Sequence, residues 1–340
     1  MIFPVYTFHA TCSPAMQLGI TPVFCDCKAD GTIDPLAIVK CITPATRAVV
    51  VSHMWGIPCD MEAIIATLSQ STNRHIYLLE DCSHAHGAMI GGQQVGTFGD
   101  AAAWSLQGQK IVTGGEGGIV LTKHADWHYA QLIHGHYNKR CKTEIPATHP
   151  LREFFLTGAG LKNRAHPLAI AIALNQLTKL PRILTTKRRF AAFMAIRLGK
   201  IPFLKVPDVQ LLESRGIFPA WYAFVVHFDT ASAPPDLTRN SFVEALHREG
   251  LLEVDIPRST GLLHKEPLFV KPWVILPHLY TEGRYLRPSQ EEAALRFPSA
   301  QDFYDTAIKL PVWGYNCDQK MVERYVEGVS AVAWKFLSQY

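Results

Sequence analysis

Residues 76–122 read IYLLEDCSHAHG (76–87), AMIGGQQVGTFGD (88–100), AAAWSLQGQK (101–110) and IVTGGEGGIVLT (111–122). The apolar run 76–79 has strand character and ends in two carboxylates, Glu80 and Asp81. A small polar turn follows. A second short apolar run, 101–104, ends at Ser105. Five residues further on stands one lysine, Lys110, next to Gln109 and ahead of Gly114, Gly115, Gly117 and Gly118. Strands of a parallel sheet present their carboxyl ends along one edge, which is where ligands of α/β proteins bind. This stretch therefore places a carboxylate, a hydroxyl and an amine beyond the same edge.

A carboxylate, a hydroxyl and a lysine so placed are what a pyridoxal phosphate (PLP) enzyme needs. The lysine forms an imine with the cofactor aldehyde. The carboxylate keeps the pyridine nitrogen protonated, so that the ring can act as an electron sink.

Outward from this stretch, short β-type runs alternate with helical segments over residues 1–125. Strands are expected at 22–26, 48–52, 76–80, 101–105 and 118–122. AVVVS at 48–52 is continuously apolar, as for a strand covered on both faces. Asp34-Pro35 is a helix start, with Asp as cap and Pro in the first turn, and Asp60 leads into a second helix. Gly91-Gly92 lies in a hairpin turn. Residues 126–134 look helical and 137–155 irregular. The segment NRAHPLAIAIALNQL (163–177) is apolar nearly all round, so a buried helix is expected there. A separate helix is expected from Leu180-Pro181, with Lys187–Arg189 on its solvated face. The fold class is α/β: a three-layer α/β/α domain with a mostly parallel sheet over residues 1–200, then a smaller α+β domain over 201–340. In the second part, 222–228 is a strand and 240–249 an amphipathic helix closed by Gly250. The last helix carries Val322, Tyr325, Val326, Val329, Val332 and Phe336 along one stripe.

The chain has 340 residues, is 48% hydrophobic and has a formal charge of +4. That charge is small and scattered, which points away from nucleic acid. No apolar run of membrane-spanning length occurs. The N-terminal residues lack a signal-peptide pattern, and eight irregularly spaced cysteines without a CxxC pair suit reduced thiols, so a cytoplasmic protein is expected. Cys25-x-Cys27 has no second pair to complete a zinc site, and His84-Ala85-His86 and His134-Gly135-His136 lack metal-pair spacing. No metal is expected.

Taken with PVYTFHAT (4–11), GITPVFCD (19–26), ITPATRAVVVSHMWGIPCDM (42–61), GAGLKNRAHPLAIA (158–171), WYAFVV (221–226) and IKLPVW (308–313), the chain resembles the DegT/StrS family of PLP-dependent sugar and cyclitol aminotransferases, which have the aspartate-aminotransferase fold (fold type I). The resemblance runs over nearly the whole chain. It makes Lys110 the imine lysine and proton carrier, although a loop lysine alone reads as a surface residue. It makes Asp81 the partner of the pyridine nitrogen; alone, Asp81 reads as a turn cap. It places His84 near the 3′ oxygen, where a histidine satisfied by its neighbours is the rival reading. Phe8 matches the aromatic that stacks on the ring, and Ser105 a hydroxyl that donates to the phosphate. Arg164 matches a phosphate contact from the neighbouring subunit of a homodimer, or is a surface arginine at a helix start. His166 reads as helix-start packing.

Family members begin several dozen residues earlier, with a strand, a helix and a Gly-Thr phosphate loop. The expectation is therefore a chain truncated at its N-terminus, with part of its sheet uncovered. The implied reaction transfers an amino group from glutamate or glutamine to a nucleotide-linked keto-sugar or a keto-cyclitol. The alternative is a catalytically impaired or inactive remnant that binds a sugar nucleotide or a partner without turnover. A dehydratase branch of the family carries His in place of the lysine, and Lys110 argues against that branch.

Overall fold

The computed structural model describes residues 1–71, 75–282 and 295–339. Its main sheet has six strands in the order Val23–Cys25, Ile2–Pro4, Ala48–Ser52, Tyr77–Asp81, Ala101–Ser105 and Gly118–Thr122. The first five run parallel, and the last is antiparallel to its neighbour. Every residue of Ala48–Ser52 is buried, as its unbroken apolar sequence requires in a sheet covered on both faces. Register decides the site. Ser52 pairs with Asp81, and Asp81 with Ala103, so the carboxylate stands at the carboxyl edge beside the end of the Ser105 strand.

The helices that cover this sheet start where the sequence marks them. Asp34 accepts from the Leu36 N–H at the head of Pro35–Cys41, and Asp60 accepts from the Ala63 N–H at the head of Met61–Ser69. Such caps satisfy amide donors that a helix start leaves without a partner. Gly91 and Gly92, at φ of 56° and 84°, turn the hairpin Met89–Ile90 to Gln93–Gln94.

The later part of the chain forms an antiparallel sheet of Leu204–Lys205, Ala223–Phe228 and Ala307–Pro311. Helices Arg239–Arg248 and Gln319–Leu337 pack on it, the latter through Val322, Tyr325, Val326, Val329 and Val332. Strand Thr260–Leu262 returns to pair with Tyr6–Phe8. Two parts of the chain distant in sequence thus build one wall of the site.

Four expectations are corrected. The helix expected to be buried over 163–177 is instead an exposed apolar surface: Leu168, Ile172 and Leu174 are 69%, 51% and 61% exposed. An all-round apolar helix records what it has to cover, and the described chain covers only one side. No new helix starts at Leu180-Pro181. One helix, Pro167–Leu198, runs through Pro181, whose missing N–H falls on an exposed side. Lys187 is not on a solvated face but is 7% exposed. Residues 137–155 are not wholly irregular, since Lys139–Glu144 is helical. The outer strand Gly118–Thr122 is also exposed, with Ile119, Val120 and Leu121 at 41%, 53% and 54%.

Candidate active site

A cavity of about 1010 Å³ opens at the carboxyl edge of the main sheet. Phe8, Asp81, His84, Ser105 and Lys110 all line it, so five of the six residues nominated from sequence converge there. Arg164 does not line this cavity. It is exposed, with its guanidinium over the Tyr137 ring at 5.2 Å. His166 caps the long helix, accepting from the Leu168 N–H at 3.2 Å.

Asp81 is held in a fixed orientation. One carboxylate oxygen accepts from the Thr11 hydroxyl at 2.6 Å, and the other from the Ser83 N–H at 3.0 Å. Bonds of this kind to a charged acceptor are the stronger class, and two of them fix the plane of the group. Lys110 follows a turn closed by its own N–H to the Gln107 carbonyl at 2.9 Å. Burial lowers its pKa below the ordinary lysine value, and the Asp81 charge opposes that shift. Ser105, at the strand end, accepts from the Gln107 N–H at 3.3 Å. Gly114 fits because a Cβ there would lie 2.5 Å from the Ala169 carbonyl oxygen. Gly114 therefore lets the lysine segment press against the long helix.

Three aromatic rings frame the amine. The His84 imidazole stacks on Tyr222 at 3.9 Å and on Trp55 at 5.6 Å. The Lys110 ammonium stands over the Tyr222 ring at 4.8 Å from its centroid. Burial holds the His84 pKa well below the usual imidazole range, and the Lys110 charge adds to that. His84 is thus a neutral ring wedged between two others. The stack depends on a close approach of backbones. Trp55 and Trp221 both adopt left-handed conformations, φ 57° and 50°. A Cβ on Gly56 would lie 2.8 Å from the Trp221 nitrogen and 3.0 Å from the His84 carbonyl oxygen.

Thr11, Trp55 and Tyr222 were not nominated from sequence. All three lie in quoted motifs (YTFHAT, VSHMWGIP and WYAFVV). What places them in the site is contact between segments far apart in the chain, Thr11 with Asp81 and the Tyr222 N–H with the Trp55 carbonyl, which the sequence pattern does not specify.

Glu80, one residue before Asp81, has a separate task. It accepts from the Gly96 and Gly99 N–H groups, both at 2.6 Å, and lies 3.1 Å from His53 Nε2. His53 Nδ1 in turn accepts from the Cys59 N–H at 3.0 Å, which fixes Nε2 as the protonated nitrogen. With Cys82, these residues are the one group of metal-ligand type among the described residues. The Glu80 oxygens and His53 Nδ1 accept from protein donors, and burial raises the Cys82 thiol pKa well above its ordinary value. The arrangement is that of a polar clamp tying the Asp81 strand to the hairpin that follows.

Residues 1–330 match the DegT/DnrJ/EryC1/StrS aminotransferase family. The chain is 27% identical over 327 residues to the spore coat polysaccharide biosynthesis protein SpsC of Bacillus subtilis, covering 95% of this chain and 76% of that protein. It is 30% identical over 275 residues to the L-glutamine:2-deoxy-scyllo-inosose aminotransferase of Streptomyces kanamyceticus, covering 79% of this chain and 61% of that one. Among solved structures, the E coli GDP-4-keto-6-deoxy-D-mannose-3-dehydratase with bound hydrated PLP superposes with a TM-score of 0.74 at 20% identity. That match covers 96% of this chain and 79% of that one, and it carries the fold. With the sheet order, the edge cavity and the match over nearly its full length, the chain belongs to the DegT/DnrJ/EryC1/StrS aminotransferase family.

Proposed function

We propose that this chain is a PLP-dependent aminotransferase that moves an amino group from glutamate or glutamine to the carbonyl of a nucleotide-linked keto-sugar or a keto-cyclitol. The observation that carries the reading is that Asp81, held by Thr11, and Lys110, its pKa lowered by burial, line one cavity.

The residues present suit the cofactor. Asp81 would hold the pyridine nitrogen, Phe8 the ring face, His84 the 3′ oxygen and Ser105 the phosphate. When bound, the cofactor supplies an electron sink for the carbon that loses its proton. Lys110 would both anchor it and carry the proton at that carbon, a task helped by the lowering of its amine pKa by burial. The Tyr222 ring, itself stacked on His84, lies against the Lys110 amine.

A homodimer belongs to this reading. Arg164 stands exposed just ahead of the apolar helix face carrying Leu168, Ile172 and Leu174, the surface a second copy would cover. Light scattering on the purified chain tests it: a single-chain mass argues against the pairing. A cytoplasmic setting fits eight free cysteines. Among the described residues no helix is long and apolar enough to cross a membrane.

One observation favours a second reading, cofactor or sugar-nucleotide binding without turnover. Of the residues matched to phosphate contacts, Ser105 alone lines this chain's own cavity, Arg164 being matched to the cavity of the neighbouring subunit. Single-turnover mixing of PLP-loaded protein with glutamate and, separately, with glutamine separates the two readings. Loss of the internal PLP band with formation of the matching 2-oxo acid, 2-oxoglutarate or 2-oxoglutaramate, supports the aminotransferase, and an unchanged band with both donors supports binding alone.

A further inference from the structure

Lys187 is a charged residue in a core position. It falls in step with Ile183, Phe190 and Met194 on the buried side of the long helix, and it is itself 7% exposed. An amine taken out of water needs partners. Lys187 has two, both carbonyls: Trp221, at 2.9 Å, and Val312. Trp221 leads into strand Ala223–Phe228, and Val312 directly follows strand Ala307–Pro311. Ala223 pairs with Pro311, so Lys187 ties together the two strands at their site-facing end.

The residue after the first carbonyl is Tyr222, whose ring lies under the Lys110 amine and flat against His84. Trp221 holds a left-handed backbone that a tryptophan does not choose unaided. A second cavity, of about 480 Å³, is lined by Lys187, Tyr222, Lys110 and Lys309, so the buried amine and the site lysine share one space.

We propose that Lys187 is a positioning residue for Lys110, pinning the Trp221–Tyr222 segment so that the Tyr222 ring covers the Lys110 amine. Burial, opposed by Asp318, pushes the Lys187 pKa down to about 7, so it can hold both carbonyls without a buried counter-ion. The meaning of this for catalysis rests on Lys110 being the cofactor lysine, but the physical claim concerns the chain alone.

The test therefore uses protein without PLP. Competitive labelling with acetic anhydride, read by peptide mass spectrometry across pH, gives the titration midpoint of Lys110. The set is wild type, Lys187→Met and Lys187→Arg, each with Tyr222 intact and with Tyr222→Ala; circular dichroism melts report folding. With Tyr222 present, Lys187→Met should move the Lys110 midpoint up toward the ordinary lysine value, because the amine becomes hydrated. Lys187→Arg, which keeps donors for the carbonyls, should restore part of the shift. In the Tyr222→Ala background, Lys187→Met should change nothing further. An unmoved midpoint, or the same shift with and without the Tyr222 ring, overturns the proposal. Should Lys187→Met fail to fold, Lys187→Gln is read by the same criteria. If the wild-type chain takes up no PLP, the aminotransferase reading fails while this measurement still stands.

Discussion

The Tyr222 ring and the His84 imidazole lie parallel, 6° apart in plane and 3.9 Å between centroids, with the Lys110 ammonium 4.8 Å from the Tyr222 centroid. An aromatic pair and a partly buried cation–π contact are each worth roughly 1 kcal/mol. Tyr222→Leu is therefore expected to cost the free chain about 1–2 kcal/mol of folding stability. Tyr222→Phe, which keeps the ring, should stay within about 0.5 kcal/mol of wild type. Urea denaturation measures both.

Asp81 owes its orientation to Thr11. Thr11→Val keeps the shape and removes the 2.6 Å hydrogen bond to the carboxylate. A hydrogen bond to a charged group contributes about 1.5–3 kcal/mol, so kcat/KM should fall by roughly ten- to a hundredfold. Thr11→Ser should recover most of the loss. If Thr11→Val matches wild type, Asp81 is held by Ser83 alone.

His86 gives the protein an acid sensitivity. It is 5% exposed, and burial pushes its pKa down to about 4, with the Lys110 charge adding to this. A depressed histidine pKa means the unfolded chain binds the proton more tightly. Stability therefore falls as pH drops from about 6.5 toward about 4 and gains nothing further above 6.5. The contribution is on the order of 3 kcal/mol. The drop in melting temperature between pH 7 and pH 5 should be smaller for His86→Leu than for wild type. An equal drop would place the acid sensitivity elsewhere.

Gly56 is the steric key of the ring stack. Gly56→Ala combines an unfavourable φ of 86° with a Cβ 2.8 Å from the Trp221 nitrogen, an atom of the backbone that cannot swing aside. A loss of about 2–4 kcal/mol is expected, within the range for strained backbone and overpacking. Urea denaturation should show it as a lower midpoint with an unchanged slope.

How far this was legible beforehand differs between elements. The strands ending at Asp81 and Ser105 were readable because a buried parallel strand is a short apolar run and its polar terminator marks the edge. The place of Lys110 in the cavity at that edge was readable from its spacing to Ser105. Thr11, Trp55 and Tyr222 were not, because they reach the site through contacts between segments far apart in the chain. Lys187 was misread because a KRR triplet resembles a solvated face, and only packing shows that its first member points inward. The apolar helix face at 168–174 shows the limit of the hydrophobic pattern. That pattern says a surface will be covered without saying by which part of which chain.

The central claim is that Asp81 and Lys110 act on one PLP ring, and absorbance titration of the purified chain with PLP tests it most directly. The account predicts a visible band that saturates in wild type, is absent in Lys110→Ala and is shifted and weakened in Asp81→Ala. No band in wild type at any PLP concentration, or an undiminished band in folded Lys110→Ala, would contradict it.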